Sequence, residues 1–208
     1  MSRAISISQL MAKKFKRIPF LGQWMKSLGN PEPNGSWIVW GESGHGKTTF
    51  LLMLAKELTK YGKVAYDTLE EGARLSMQEA LRTTEIDTDP SVTKKMIILN
   101  RESITELKER LKKKKHPIFV FIDSLQYANL TKVSYMKLLE EHSDVLFIFI
   151  SHAEGKQPLG NFAKAVRYHS DIKIRVEGYK AFITSRVGGG EPFTIWEEGA
   201  KNYWLDIK

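Results

Sequence analysis

The chain has 208 residues, 32 Lys and Arg against 24 Asp and Glu, and no cysteine. That length suits one domain with a sizeable core. The missing thiols exclude disulfides, thiolate nucleophiles and cysteine-held zinc, and they suit a reducing, cytoplasmic setting. The net charge of +8 favours an acidic partner, of which nucleic acid is the commonest, although the same excess also serves as a self-repelling, soluble surface.

The first 17 residues carry a basic cluster, Lys13, Lys14, Lys16 and Arg17, with apolar neighbours. They read as a basic segment, either a solvated or partner-docking arm or a membrane-surface helix. The longest apolar runs, IFVFI and VLFIFI, fall far short of the roughly 18 residues that cross a bilayer, so no membrane partner is expected. A single domain is expected over 18–208, after which order the elements fall as follows. Strands are predicted at Trp37–Trp40, Lys63–Asp67, Met96–Leu99, Ile118–Ile122 and Val145–Ile150, each an apolar run of the kind buried on both faces. Helical patterns lie between them at Thr48–Tyr61, Gly72–Arg82, Ile104–Lys115 and Lys132–His142. This alternation predicts an α/β fold with a mostly parallel central sheet flanked by helices. Residues 153–170 read as a loop. Short strands at Asp171–Val176, Lys180–Ser185, Phe193–Trp196 and Asn202–Ile207 then predict C-terminal antiparallel strands that extend the sheet.

Gly41 to Thr48, GESGHGKT, fits G-x-x-x-x-G-K-[ST] and sits between a predicted strand and a predicted helix. Amides of such a turn point inward at phosphate oxygens, and the helix N-terminus adds a positive field. ATP with Mg²⁺ is therefore expected at Gly41, Glu42, Ser43, Gly44, His45, Gly46, Lys47, Thr48 and Thr49. Lys47 would reach the β- and γ-phosphates, and Thr48 would turn its hydroxyl to the metal. Asp123 closes the strand in PIFVFIDS and is the second expected metal residue; its alternative is to cap a helix. Ser124 follows where a second acid would otherwise stand, so the base must come from elsewhere. VAYDTLEEG supplies Glu70 and, next to it, Glu71.

Here the sequence resembles the RecA-type P-loop ATPases, within them the replicative-helicase and KaiC-like branch. Thr68-Leu69-Glu70 matches that branch's Ser-Leu-Glu-like tripeptide, whose glutamate polarises the attacking water. FIFISHAEG is similar to the strand whose end senses the γ-phosphate, which gives Ser151 and His152 that position. PLGNFAKAVRYHSDIKIRV resembles the segment that leads from the DNA-contacting loop into the next strand. KAFITSRVGGGEPFTIW resembles the helicase segment with a Lys-x-Arg pair that reaches a neighbour's nucleotide: Arg186 matches the Arg, while Thr184 departs from the Lys. Otherwise Arg186 pairs with a surface acid such as Glu191. The resemblance covers about residues 18–207. It implies a homo-oligomer, ring or filament, and it is closest in size to small RecA-like proteins of phages and mobile elements that act in recombination or replication.

Within 153–170, Lys156, Lys164 and Arg167 alternate with Phe162 and Tyr168 and are the expected contacts to single-stranded DNA; the plainer reading is a solvated connection with a short core-packing helix. Lys112–Lys115 read as a solvated helix terminus. The leading expectation is a DNA-stimulated ATPase, with a KaiC-like regulatory or assembly ATPase acting on a protein partner as the alternative. A P-loop small-molecule kinase is a third class, because GESGHGKT also fits G-x-x-G-x-G-K-[ST]. Such kinases need an Arg-rich lid, and between Ser151 and Arg186 only Arg167 and Arg175 stand.

Overall fold

The computed structural model describes residues 4–205. A short helix α1 (Ile7–Met11), capped by Ser6, buries none of its side chains. The chain first enters the core at Ile18 and Phe20, which are buried. Helix α2 (Gly22–Leu28) follows, an element that the sequence reading did not mark.

From there strands and helices alternate: β1 (Gly35–Gly41), α3 (Lys47–Leu58), β2 (Val64–Thr68), α4 (Leu75–Thr83), α5 (Pro90–Thr93), β3 (Met96–Leu99), α6 (Ile104–Leu111), β4 (Phe119–Asp123), α7 (Lys132–Glu141) and β5 (Leu146–Ser151). A two-stranded hairpin, β6 (Ala153–Glu154) and β7 (Gln157–Pro158), leads into α8 (Asn161–His169). Then come β8 (Ile172–Glu177), β9 (Lys180–Ser185), β10 (Phe193–Thr194) and α9 (Glu197–Leu205).

The main sheet runs β10-β9-β8-β1-β5-β4-β2-β3. Its strands from β8 to β3 are parallel, and β9 and β10 are antiparallel additions at one edge. The expected α/β architecture with C-terminal antiparallel strands is therefore present. Of the parallel strands, β1, β2, β4 and β5 are buried on both faces, as their unbroken apolar runs require, while β8 alternates in burial and the edge strand β3 is partly exposed. One face packs Trp37, Val39, Tyr66, Phe121 and Ile148 against α2, α3 and α4. The other packs Ile38, Trp40, Val120, Phe147 and Phe149 against α6, α7 and α8.

Asp171–Val176 opens the antiparallel run by pairing with β9, while on its other side β8 pairs parallel with β1, from Trp37 opposite Ile172 to Gly41 opposite Val176. Two expectations need correction. The stretch 153–170 is not a loop throughout: a hairpin leads into an amphipathic helix that buries Ala163 and Val166, the short core-packing helix of the plainer reading. The strand expected at Asn202–Ile207 is helix α9 as far as Leu205, and Ile207 lies outside the described residues. Glu197 and Glu198 fall in the first turn of α9, where negative charge suits the helix dipole. Trp204 turns inward to donate its indole N–H to Gly178 O at 3.1 Å. Element ends also move: α6 stops at Leu111, so Lys112 caps it and Lys113–Lys115 lie in the turn that follows.

Asp67 is fully buried beneath the start of α6. Its Oδ1 accepts the Glu102 amide at 3.1 Å, and its Oδ2 has no partner. Burial pushes the carboxyl up from the usual 3.8 to about 7, against the pull of that amide. The folded chain thus holds a proton that the unfolded chain releases near pH 4. Stability from this group is complete below about pH 4 and is lost as pH rises through about 7. Melting temperature should fall as pH rises from about 4 to about 7, by an amount corresponding to about 1–4 kcal/mol. Asp67→Asn should flatten that fall, and an unchanged slope in the variant would remove Asp67 as its source.

Candidate nucleotide site

Every group of the site stands at the carboxyl end of the parallel strands, where the sheet opens between its helices. β1 ends at Gly41, and the turn Gly41–Gly46 hands the chain to α3. Gly44 and Gly46 have φ of 80° and 87°, values that L side chains rarely adopt. A Cβ on Gly46 would also press on Tyr179 at 3.2 Å, whereas nothing lies within 4 Å of one on Gly44. The turn is braced from behind: the Tyr179 amide donates to His45 O at 3.3 Å, and the Gly178 amide donates to His45 Nδ1 at 3.2 Å. Tyr203 of α9 packs edge-on against His45, with ring centroids 5.2 Å apart.

Inside the turn Lys47 Nζ donates to Gly41 O at 3.0 Å. Burial lowers its ammonium pKa, while the Asp123 and Glu70 carboxylates oppose that shift. Asp123 closes β4 with most of its side chain buried, and burial raises its pKa. Two groups hold it toward the ionised form. Tyr66 donates its phenol to Asp123 Oδ2 at 2.6 Å, and Lys47 adds its charge. Tyr66 itself is fully buried and stacks on Phe121.

β2 lies beside β4, with Thr68 opposite Asp123. The turn after β2 bends back onto that neighbour: the Leu69 and Glu70 amides both donate to Asp123 O, at 2.6 and 3.1 Å. Glu70 is thereby carried to the Asp123 strand. Its Oε2 accepts from Ser124 Oγ at 3.3 Å and lies 3.1 Å from His152 Nε2, just past the end of β5. Glu71 instead accepts from Ser76 Oγ at 2.9 Å. Behind His152, Gln126 Nε2 donates to Ser151 Oγ at 2.9 Å, so the ends of β4 and β5 are tied as well.

One cavity of about 390 Å³ gathers Glu42, Ser43, Gly44, Gly46, Lys47, Thr48, Thr49, Glu70, Asp123 and His152, together with Glu71 and Met77. Gly41 and His45 support it through the contacts above. A second cavity of about 710 Å³ adjoins it, sharing Gly46, Thr49 and Tyr179, and continues over Met53, Ile195 and Trp196. The sequence reading missed Tyr66, Ser124, Gln126 and Tyr179. Only Tyr66 had a local signal, as a polar-tipped residue in the middle of an apolar strand.

Among the described residues no three His, Asp or Glu side chains converge to hold a metal by themselves. The donors present, a Thr48 hydroxyl and an Asp123 carboxylate with one oxygen engaged by Tyr66, suit a hard cation whose remaining ligands are phosphate and water oxygens. The site thus fits Mg²⁺ arriving with a nucleotide, and does not fit a resident metal.

The remaining expected residues stand apart. Lys164 pairs with Glu154 at 2.9 Å, Arg167 lies over the Trp40 ring at 5.3 Å from its centroid, and Trp40 Nε1 donates to Lys156 O at 3.2 Å. Arg186 follows Ser185, which is opposite Ile172, which is opposite Trp37. It therefore lies at the amino end of β1, the far end of the sheet from the chain's own P-loop. There its Nη1 donates to Asp171 Oδ1 at 3.2 Å, rather than to Glu191.

The fold and this cavity together define the RecA-like P-loop fold. The flagellar accessory protein FlaH from Methanocaldococcus jannaschii superposes with a TM-score of 0.61 at 15% identity, covering 87% of this chain and 95% of that one. A KaiC-like protein of Pyrococcus horikoshii OT3 superposes with a TM-score of 0.51 at 20% identity, covering 79% and 82%. No family model matches the sequence, and no curated protein does. Among the described residues no helix is long and apolar enough to cross a membrane.

The Tyr66 phenol is a positioning group that acts through Asp123. Tyr66→Phe removes the donor, and burial then pushes the Asp123 carboxyl further up. The Mg²⁺ concentration needed for half-maximal ATP binding at neutral pH should rise about tenfold, the worth of one hydrogen bond to a charged group. The deficit should shrink as pH is raised and the carboxyl ionises. A magnesium requirement equal to wild type at every pH would show that Tyr66 only fills space.

Proposed function

We propose that this protein binds Mg·ATP in the 390 Å³ cavity and hydrolyses it, coupling turnover to nucleic acid, single-stranded DNA being the first candidate, as in recombination or replication. The observation that supports the ATPase reading is the convergence of Lys47, Asp123, Glu70 and His152 on one cavity at the mouth of the P-loop. The β- and γ-phosphates lie against the amides of Gly44–Thr48, and Lys47 exchanges Gly41 O for them. Thr48 and, through water, Asp123 would hold Mg²⁺, which would supply neutralisation of the phosphate charge. Glu70 takes a proton from a water whose oxygen attacks the γ-phosphorus. The bond from that phosphorus to the β,γ-bridging oxygen breaks, and ADP leaves with the electron pair. His152 holds Glu70 Oε2 in place and stands where a change at the γ-phosphate is felt. The nucleoside extends past Thr49 toward Tyr179 and the apolar wall of the larger cavity.

The position of Arg186 supports a role in a neighbouring subunit's site within a homo-oligomer, because its own P-loop is at the other end of its sheet. The nucleic-acid half of the reading draws on the net charge of +8. One observation favours the alternative, a KaiC-like regulatory ATPase with a protein partner: the 153–170 segment spends Lys164 on Glu154 and Arg167 on Trp40.

Turnover and ATP binding of three variants test the reading. Lys47→Ala should lose both. Glu70→Gln should keep ATP affinity and lose about 10²–10⁴-fold in turnover, the usual worth of a general base. Arg186→Ala should be inactive alone yet regain turnover when mixed with Lys47→Ala, because mixed assemblies contain complete sites. Wild-type turnover in folded Lys47→Ala would overturn the site assignment. Loss of turnover in Glu71→Gln but not Glu70→Gln would move the base by one residue, and co-assembled mixtures without rescue would remove Arg186 from catalysis.

A further inference from the structure

A cluster of unpaired positive charge lies at the amino ends of β2, β3 and β4, the opposite end of the sheet from the P-loop. A cleft of about 170 Å³ opens there, walled by Lys63, Lys94, Lys95, Lys113, Lys115 and Arg110. These lysines come from three turns that the parallel sheet brings together. Lys63 precedes β2, Lys94 and Lys95 precede β3, and Lys113 and Lys115 lie between α6 and β4. The register aligns their exits, with Val64 opposite both Met96 and Phe119.

All five lysines are exposed, as is Lys114 beside them. Among the described residues none of the six is within ion-pair distance of a carboxylate. Lys63 Nζ donates only to Lys115 O, and Lys95 Nζ only to Thr59 O. Carbonyl acceptors fix those ammonium groups without neutralising them. The cations beside them are matched: Arg110 pairs with Glu102, Lys112 with Glu109 and His116 with Asp144. The cleft is therefore a local cluster of six unpaired lysines. In the 153–170 segment, by contrast, Lys164 is paired with Glu154 and Arg167 is laid over Trp40.

We propose that this cleft grips the phosphate backbone of a nucleic acid, without reading or stacking its bases. Repeating phosphates match lysines on three successive turns, and each contact releases a condensed counterion, which drives binding. No Phe, Tyr or Trp lines the cleft; its apolar residues are Val64, Ile97 and Pro117, and its one ring, His116, is engaged by Lys113 O and Asp144. A base therefore finds no free ring to stack on, and duplex and single strand share the one feature that is gripped. Lys63 starts the strand that leads to Glu70, and Lys115 stands just ahead of the strand that ends at Asp123. Each strand joins the cleft to the nucleotide site through a short, fully buried element.

The proposal rests on the nucleic-acid half of the proposed function and moves its location. The test is fluorescence anisotropy of a labelled oligonucleotide, single-stranded and duplex, over a salt series. The variant Lys94→Ala/Lys95→Ala/Lys113→Ala/Lys115→Ala should lose about tenfold or more in affinity at low salt. Its log K against log salt slope should flatten by about 0.9 per lost contact on duplex and about 0.7 on single strands. The matching Lys→Arg variant should keep the wild-type slope. Basal ATP turnover should stay at wild type in both, which also reports that they fold. Replacing Lys156, Lys164 and Arg167 by Ala should change the slope by less than one contact's worth. A slope lost in that loop variant but kept in the cleft variant would overturn the location and leave the nucleic-acid reading standing. Wild-type protein that binds neither oligonucleotide at low salt would overturn both. If it instead binds polyglutamate through the same four lysines, the cleft belongs to an acidic protein.

Discussion

The carbonyl oxygen of Asp123 accepts two amides at once, from Leu69 at 2.6 Å and Glu70 at 3.1 Å. These two bonds cross from the end of β2 to the end of β4, strands already paired with Thr68 opposite Asp123. Without them the turn after β2 would be a solvent-facing pair of acids. With them the Glu70 carboxylate is fixed relative to the Asp123 carboxylate, because the Glu70 amide is bonded to the Asp123 carbonyl. Lys47 arrives from β1, and His152 from β5, which lies between β1 and β4. Four strand ends thus supply one polar group each, and a rigid parallel sheet keeps their spacing. The apolar runs that bury the strands on both faces are what hold the site in shape.

That arrangement balances its charges by burial. Asp123 and Lys47 are both disfavoured as ions by their surroundings, and each is opposed by the other. Tyr66 adds a donor to the carboxylate, and Gly41 O receives the ammonium meanwhile. An anionic ligand entering the turn gives Lys47 a stronger partner than a carbonyl, so the site gains most from a ligand with several phosphate oxygens. The far end of the sheet works differently. Its lysines are exposed and unmatched, so their attraction is long-ranged and falls with salt.

Much of this was legible in the sequence, for reasons particular to each part. Apolar runs too short for helices marked all five core strands, because strands covered on both faces have no polar alternation to lose. The P-loop was legible because its glycines have a backbone reason to be there. Glu70 and His152 were legible through resemblance in order and spacing, and no local pattern places them 3.1 Å apart. The C-terminal helix was misread because aromatic residues in YWLDI suit a strand, while its register is set by Trp204 finding Gly178 O on a distant turn. The 153–170 segment looked like a loop because glycines and a proline open it, and its helix is held by Val166 and Ala163 against the sheet. Its basic residues looked free because a sequence does not show that Lys164 meets Glu154, or that Arg167 lies on Trp40. Lys112–Lys115 looked like an ordinary helix terminus for the converse reason: Lys63, Lys94 and Lys95 join that run only after the strands align.

The central claim is that the turn from Gly41 to Thr48 is a phosphate cradle served by Asp123 and Glu70. A crystal structure of the protein with Mg²⁺ and a non-hydrolysable ATP analogue tests it most directly. The account predicts β- and γ-phosphates against the amides of Gly44–Thr48 and Lys47 Nζ moved from Gly41 O onto them. It also predicts the metal beside Thr48, and a water between the γ-phosphate and Glu70. Nucleotide bound elsewhere would contradict the account, as would phosphates in the turn with Glu70 directed away from them.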